Sequence, residues 1–102
     1  MIELLQRQQA EMSRLCRQFR VERLEVFGSA AGPDFKPAES DLDFIVQFQP
    51  MAPREQADAF FGLQEALEAL LGRPVELIEL APVRNPYFLR EIEKSRELIY
   101  AR

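Results

Sequence analysis

Two aspartates with one leucine between them, Asp41-Leu42-Asp43, open the apolar run that continues through Phe48, and Gly28-Ser29 lies eleven intervening residues earlier. Side chains alternate on a strand, so Asp41 and Asp43 share one face with Ile45, while Leu42, Phe44, Val46 and Phe48 take the other. Carboxylates two residues apart on a strand are separated by roughly 6 to 7 Å, and at an effective dielectric near 20 they repel by about 2 to 3 kcal/mol. A divalent cation reverses that cost, because Mg²⁺ takes hard oxygen ligands and keeps the rest of its sphere for water and phosphates. Each feature has a plainer use by itself: aspartates cap turns, and a Gly-Ser pair serves as a turn or a helix cap. In combination they suggest more. A strand ending in Gly-Ser at the start of a helical turn offers backbone N–H groups and a hydroxyl to an anion, with the carboxylates beside it for a metal. A nucleoside triphosphate needs both.

The flanking segments must position these groups. Leu5, Met12, Leu15, Cys16 and Phe19 recur near a helical period, which predicts an amphipathic helix over 2–19. Leu24, Val26 and Phe27 predict a strand that stops at Gly28. Gly32, Pro33 and Pro37 punctuate a loop, and 42–48 reads as the second strand. Ala57, Phe60, Phe61, Leu67, Leu70 and Leu71 keep helical spacing from Arg54 to Leu71, and Gly72 with Pro74 stops that helix. Val75, Leu77 and Ile78 predict a third strand; Asn85 as N-cap and Pro86 at N1 predict a short helix to about Lys94; Leu98, Ile99 and Tyr100 predict a last strand. The order α-β-β-α-β-α-β implies an α/β (α+β) fold with helices on a small mixed β-sheet.

Bulk properties narrow the class further. The 102 residues suit one domain, 1–102, and a hydrophobic fraction of 47% argues for a packed core. Net charge is −4 with no Lys/Arg run, which disfavours unassisted nucleic-acid binding and strand tracking. The lone cysteine, Cys16, makes no internal disulfide and fits a reducing cytoplasm, read as a small hydrophobe on its helix. Glu3, Arg7 and Glu11 occupy the place of a signal peptide's apolar block, and no stretch reaches membrane-span length. There is no histidine, so catalysis must rest on carboxylates, hydroxyls and a metal. Glu22, Glu25, Glu65 and Glu68 read as solvated charges, and Asn85-Pro86-Tyr87-Phe88 as a helix entry with buried aromatics.

Phe27-Gly28-Ser29 followed by Asp41-Leu42-Asp43 resembles the signature of the DNA polymerase β-like nucleotidyltransferase superfamily, and most of all its minimal nucleotidyltransferase (MNT) branch. The resemblance covers nearly the whole chain: the leading helix, "VFGSAAGPDFKPAESDLDFIVQF", "FFGLQEALEALLGRPVELIEL" and "RNPYFLREIEKSRELIYA". It implies that Asp41 and Asp43 hold two Mg²⁺ ions, that Gly28 and Ser29, with Ser40, seat the phosphates of ATP, and that a third carboxylate on a later strand completes the site. By order along the chain that third position falls on Glu76, with Glu79 as the alternative. The implied reaction moves AMP from ATP to a hydroxyl. The implied partner is a HEPN ribonuclease toxin, modified on a tyrosine and silenced by this chain as antitoxin; a homodimer is also compatible. Two departures stand out. Gly32-Pro33 follows Ala31 where the family pattern runs Arg-Gly, leaving Lys36 as a substitute cation, and Glu76 is one methylene longer than the family's usual aspartate. These leave open a weakened or binding-only antitoxin, or a transferase acting on a small molecule or an RNA end.

Overall fold

The computed structural model describes residues 2–28, 42–79, 86–87, 90 and 96–102. Helices α1 (Glu3–Arg7) and α2 (Gln9–Gln18) lead into strand β1 (Val21–Phe27). Strand β2 (Leu42–Phe48), helix α3 (Pro53–Leu71), strand β3 (Val75–Glu79) and strand β4 (Glu97–Ala101) follow. The helix expected over 2–19 is thus interrupted at Gln8, whose ψ of 8° departs from helical values. The helical ladder runs through the break nonetheless, since Gln8 N–H donates to Leu4 O and Met12 N–H to Gln8 O. Leu5 and Met12 therefore reach the same core.

The sheet order is β3-β2-β1-β4. Strand β1 runs antiparallel to both β2 and β4, whereas β2 and β3 are parallel, a pairing that needs a crossover and receives it from α3. The result is a mixed α+β fold. Helix α2 packs on β1 and β4, α3 packs on β3, and the two helices touch each other, so both lie on one face. Leu24, Val26, Phe44 and Val46 point into that layer, all fully buried. Each such side chain contributes about 1.5 to 3 kcal/mol through removal from water.

Helix α3 buries a different stripe from the expected one. Ala59, Leu63, Leu67 and Leu71, each four residues apart, face the core; Phe60 and Leu70 flank them, and Ala57 and Phe61 look outward, Phe61 with 66% of its surface exposed. The helix ends where Gly72 takes the left-handed region at φ 70°, which favours glycine because it has no Cβ. The short helix expected from Asn85 to Lys94 falls mostly outside the described residues; Pro86, Tyr87 and Arg90 are helical and exposed. Tyr87, expected to be buried, is 74% exposed with the Arg90 guanidinium over its ring. Among the described residues no helix is long and apolar enough to cross a membrane.

Candidate active site

Register decides which acidic side chains meet. In the β1–β2 ladder Phe27 pairs with Asp43, and in the parallel β2–β3 ladder Asp43 pairs with Glu76. Partners across a ladder point to the same face, so both carboxylates stand on the face opposite the helices. Glu79 is three residues beyond Glu76 and projects the other way, where its carboxylate accepts a hydrogen bond from Gln56 Nε2 of α3 at 3.0 Å. Of the two candidates for the third carboxylate, only Glu76 shares a face with Asp43. Asp41, Ser29, Lys36, Ser40 and the Gly32-Pro33 departure lie outside the described residues.

Several contacts fix this juxtaposition. Glu68 on the last turns of α3 accepts the Val75 N–H at 3.0 Å, and Gln64 Nε2 donates to Val75 O at 3.0 Å. Both backbone groups of the residue before Glu76 are thereby tied to the helix. Leu42 N–H donates to Pro74 O at 3.3 Å, which ties the start of β2 to the approach to β3. On the other side of Asp43, Gly28 ends β1 with φ 74°. A Cβ placed on Gly28 would lie 3.3 Å from Asp43 Oδ2, so the carboxylate rests against this glycine's backbone. Any larger residue there would suffer strained φ as well as crowding.

The ends of three strands consequently bring together two carboxylates and a left-handed glycine. Neighbouring strands are about 4.8 Å apart, and two ionised carboxylates at roughly 5 to 6 Å repel by about 3 kcal/mol at an effective dielectric of 20. A hard divalent ion is a fitting occupant for such an oxygen pair, though among the described residues no group of three ligating side chains gathers.

The same face carries a feature the sequence reading missed. Glu25, expected to be solvated, is only 4% exposed. Arg96 grips it in a fork, Nε to Oε2 at 2.7 Å and Nη2 to Oε1 at 2.5 Å, and Arg23 Nε donates to Oε1 at 3.0 Å. The hydrogen bonds from Arg96, and then those from Arg23, hold the Glu25 carboxyl below the usual range against the opposing effect of burial. The one signal in the sequence was the interruption of an apolar strand by a charge, Leu24-Glu25-Val26. Glu22 and Glu68 are likewise less free than expected: Glu22 pairs with Arg102 at 3.4 Å, and Glu68 holds Val75.

The nucleotidyltransferase domain family matches residues 12–99, and the chain belongs to that family: it is a nucleotidyltransferase. It is 34% identical over 84 residues to "Putative protein adenylyltransferase MJ0128" of Methanocaldococcus jannaschii, an alignment that spans 80% of this chain and 78% of that protein. A solved structure described as a "putative minimal nucleotidyltransferase" superposes with a TM-score of 0.70 at 26% identity, covering 94% of this chain and 95% of the other. A chain from the complex of a tri-AMPylated Shewanella oneidensis HEPN toxin with its MNT antitoxin superposes with a TM-score of 0.66 at 16% identity, covering 96% and 73%. That last likeness concerns the fold.

Proposed function

We propose that this chain transfers AMP from ATP to a hydroxyl of a partner protein, a tyrosine of a HEPN-type toxin, and thereby acts as the antitoxin. The observation that carries the reading is the in-register pairing of Asp43 with Glu76 beside the left-handed Gly28. The relative named for protein adenylylation and the complex in which a HEPN toxin carries AMP both favour a protein acceptor.

Asp43 and Glu76, with Asp41, would hold two Mg²⁺ ions, hard cations suited to carboxylate oxygens. When bound, such a pair stabilises the entering and leaving oxygens of an in-line displacement. Gly28 and Ser29, with Ser40 and Lys36, would seat the phosphates against the end of β1. The tyrosine oxygen forms a bond to the α-phosphorus as the bond from that phosphorus to the bridging oxygen breaks, and pyrophosphate leaves with the electron pair. Glu76, which pairs with Asp43 on the side away from Gly28, would lie near the acceptor hydroxyl, as ligand to one metal or as acceptor of its proton.

The test is intact-mass analysis of the cognate toxin after incubation with this protein, ATP and Mg²⁺. The toxin gains AMP with the wild-type chain, and Asp43→Asn lowers the rate by about 100-fold or more, since outer-shell changes alone cost 10- to 100-fold. A toxin that stays unmodified yet is still neutralised would replace this account with a binding-only antitoxin.

A further inference from the structure

Strand β3 stands at one edge of the sheet, paired with β2 alone among the described strands. Leu42 N–H donates to Pro74 O, and in a parallel ladder alternate residues address the neighbouring strand, so Val75 turns its own N–H and C=O away from β2. Edge groups of this kind ordinarily face water or another chain. Here α3 takes both: Glu68 Oε2 accepts the Val75 N–H at 3.0 Å, and Gln64 Nε2 donates to Val75 O at 3.0 Å. The two side chains are one helical turn apart, on one side of α3, and offer Val75 the acceptor and donor that a further strand would offer. Near the start of α3, Gln56 holds the other end of β3 through the Glu79 carboxylate at 3.0 Å.

We infer that Glu68 and Gln64 are positioning residues for the candidate site: standing in for a missing strand, they fix the backbone from which Glu76 reaches the metal-binding corner. This rests on the nucleotide reading above.

Three observations support it. Glu76 is exposed, so its place beside Asp43 is set by its backbone and not by packing around its side chain. The clamp grips the residue directly before it, and by both backbone groups, which opposes rotation of the strand about its own axis as well as slippage along β2. The clamped Val75 is itself buried, and both bonds are partly buried, where water competes less for them. The demand is real, since misplacing a reacting group by about 1 Å can cost on the order of 100-fold in rate. Neither Glu68 nor Gln64 touches a ligand in this account.

The experiment is Mn²⁺ binding to the whole chain without nucleotide, read by electron paramagnetic resonance, with thermal melts of the same proteins. Glu68→Ala should weaken Mn²⁺ by about 10-fold, as loss of a residue supporting a metal ligand does. Glu68→Gln keeps an oxygen acceptor for the Val75 N–H and should stay within about three-fold of wild type. In a Glu76→Gln background, Glu68→Ala should weaken Mn²⁺ by less than about two-fold more, because the ligand it positions is already gone. A purely structural role would lower the melting temperature in both backgrounds and leave Mn²⁺ affinity unmoved. Affinity within about two-fold of wild type in Glu68→Ala, or in Gln64→Ala if Glu68→Ala does not fold, overturns the proposal. So does Glu68→Gln binding as poorly as Glu68→Ala, or an equal loss from Glu68→Ala in the two backgrounds. If Glu76→Gln alone binds Mn²⁺ like wild type, the reading of the site fails and this inference with it; if Glu76→Gln is weakened while Glu68→Ala is not, only this inference fails.

Discussion

Glu25 shows how much one side chain's setting depends on a residue far along the chain. A carboxylate at 4% exposure is costly unless it is paired and hydrogen-bonded, and the fork from Arg96, 71 residues away, meets that requirement together with Arg23. The folded-state pKa lies below the ordinary 4.5, which means the fold prefers the ionised form. That contribution is fully present above about pH 4.5 and is lost as the pH falls below it, through the depressed folded value. Urea midpoints of the wild type should therefore lose this contribution only as the pH falls below about 4.5. Glu25→Gln should have the lower midpoint at pH 7 and the shallower decline; equal slopes in the two proteins would show that Glu25 contributes nothing to the acid limb. The sequence reading placed Glu25 in solvent because a strand's alternation shows that a residue faces away from one layer but not what covers the other.

At the scale of elements, the strands were legible and the helix faces less so. Alternation in Leu42, Phe44, Val46 and Phe48 is strong, and β2 spans 42–48 as expected. Helix α3 was recognisable from its stop at Gly72, but Phe60 and Phe61 drew the predicted stripe toward the aromatic pair. The buried stripe instead runs through the smaller Ala59 and on to Leu63. Packing against α2 explains the choice. At Gly62 a Cβ would lie 2.6 Å from Phe19 Cε1, so the absence of a side chain there lets the helices approach. Gly62→Ala should gain about 1 kcal/mol of helix propensity and lose about 2 to 3 kcal/mol to overpacking against the Phe19 ring, a net destabilisation of about 1 to 2 kcal/mol. In a Phe19→Ala background the same substitution should stabilise, because the obstruction is gone. Thermal melts of the four proteins give both signs, and stabilisation by Gly62→Ala in each background would contradict the close approach. The break at Gln8 carried no sequence signal, as neither glycine nor proline marks it.

Across the whole molecule, the candidate site is a product of strand register. Asp43 and Glu76 are 33 positions apart in sequence and become neighbours only because α3 returns the chain to lie parallel beside β2. The family resemblance put the third carboxylate on Glu76 by its order along the chain, with Glu79 as the less favoured alternative, since strand β3 contains both. Parity within the strand separates them: Glu76 faces with Asp43, while Glu79 faces α3 and binds Gln56. The carboxylate pair predicted at Asp41 and Asp43 and the cross-strand pair Asp43–Glu76 would together define one metal-binding corner. The most direct measurement is Mn²⁺ binding, read by electron paramagnetic resonance, in the wild type and in Asp43→Asn, Glu76→Gln and Glu79→Gln. Wild type and Glu79→Gln should bind alike, with Asp43→Asn and Glu76→Gln each weakened by about 10-fold or more. Undiminished binding in Glu76→Gln, or loss confined to Glu79→Gln, would contradict the account.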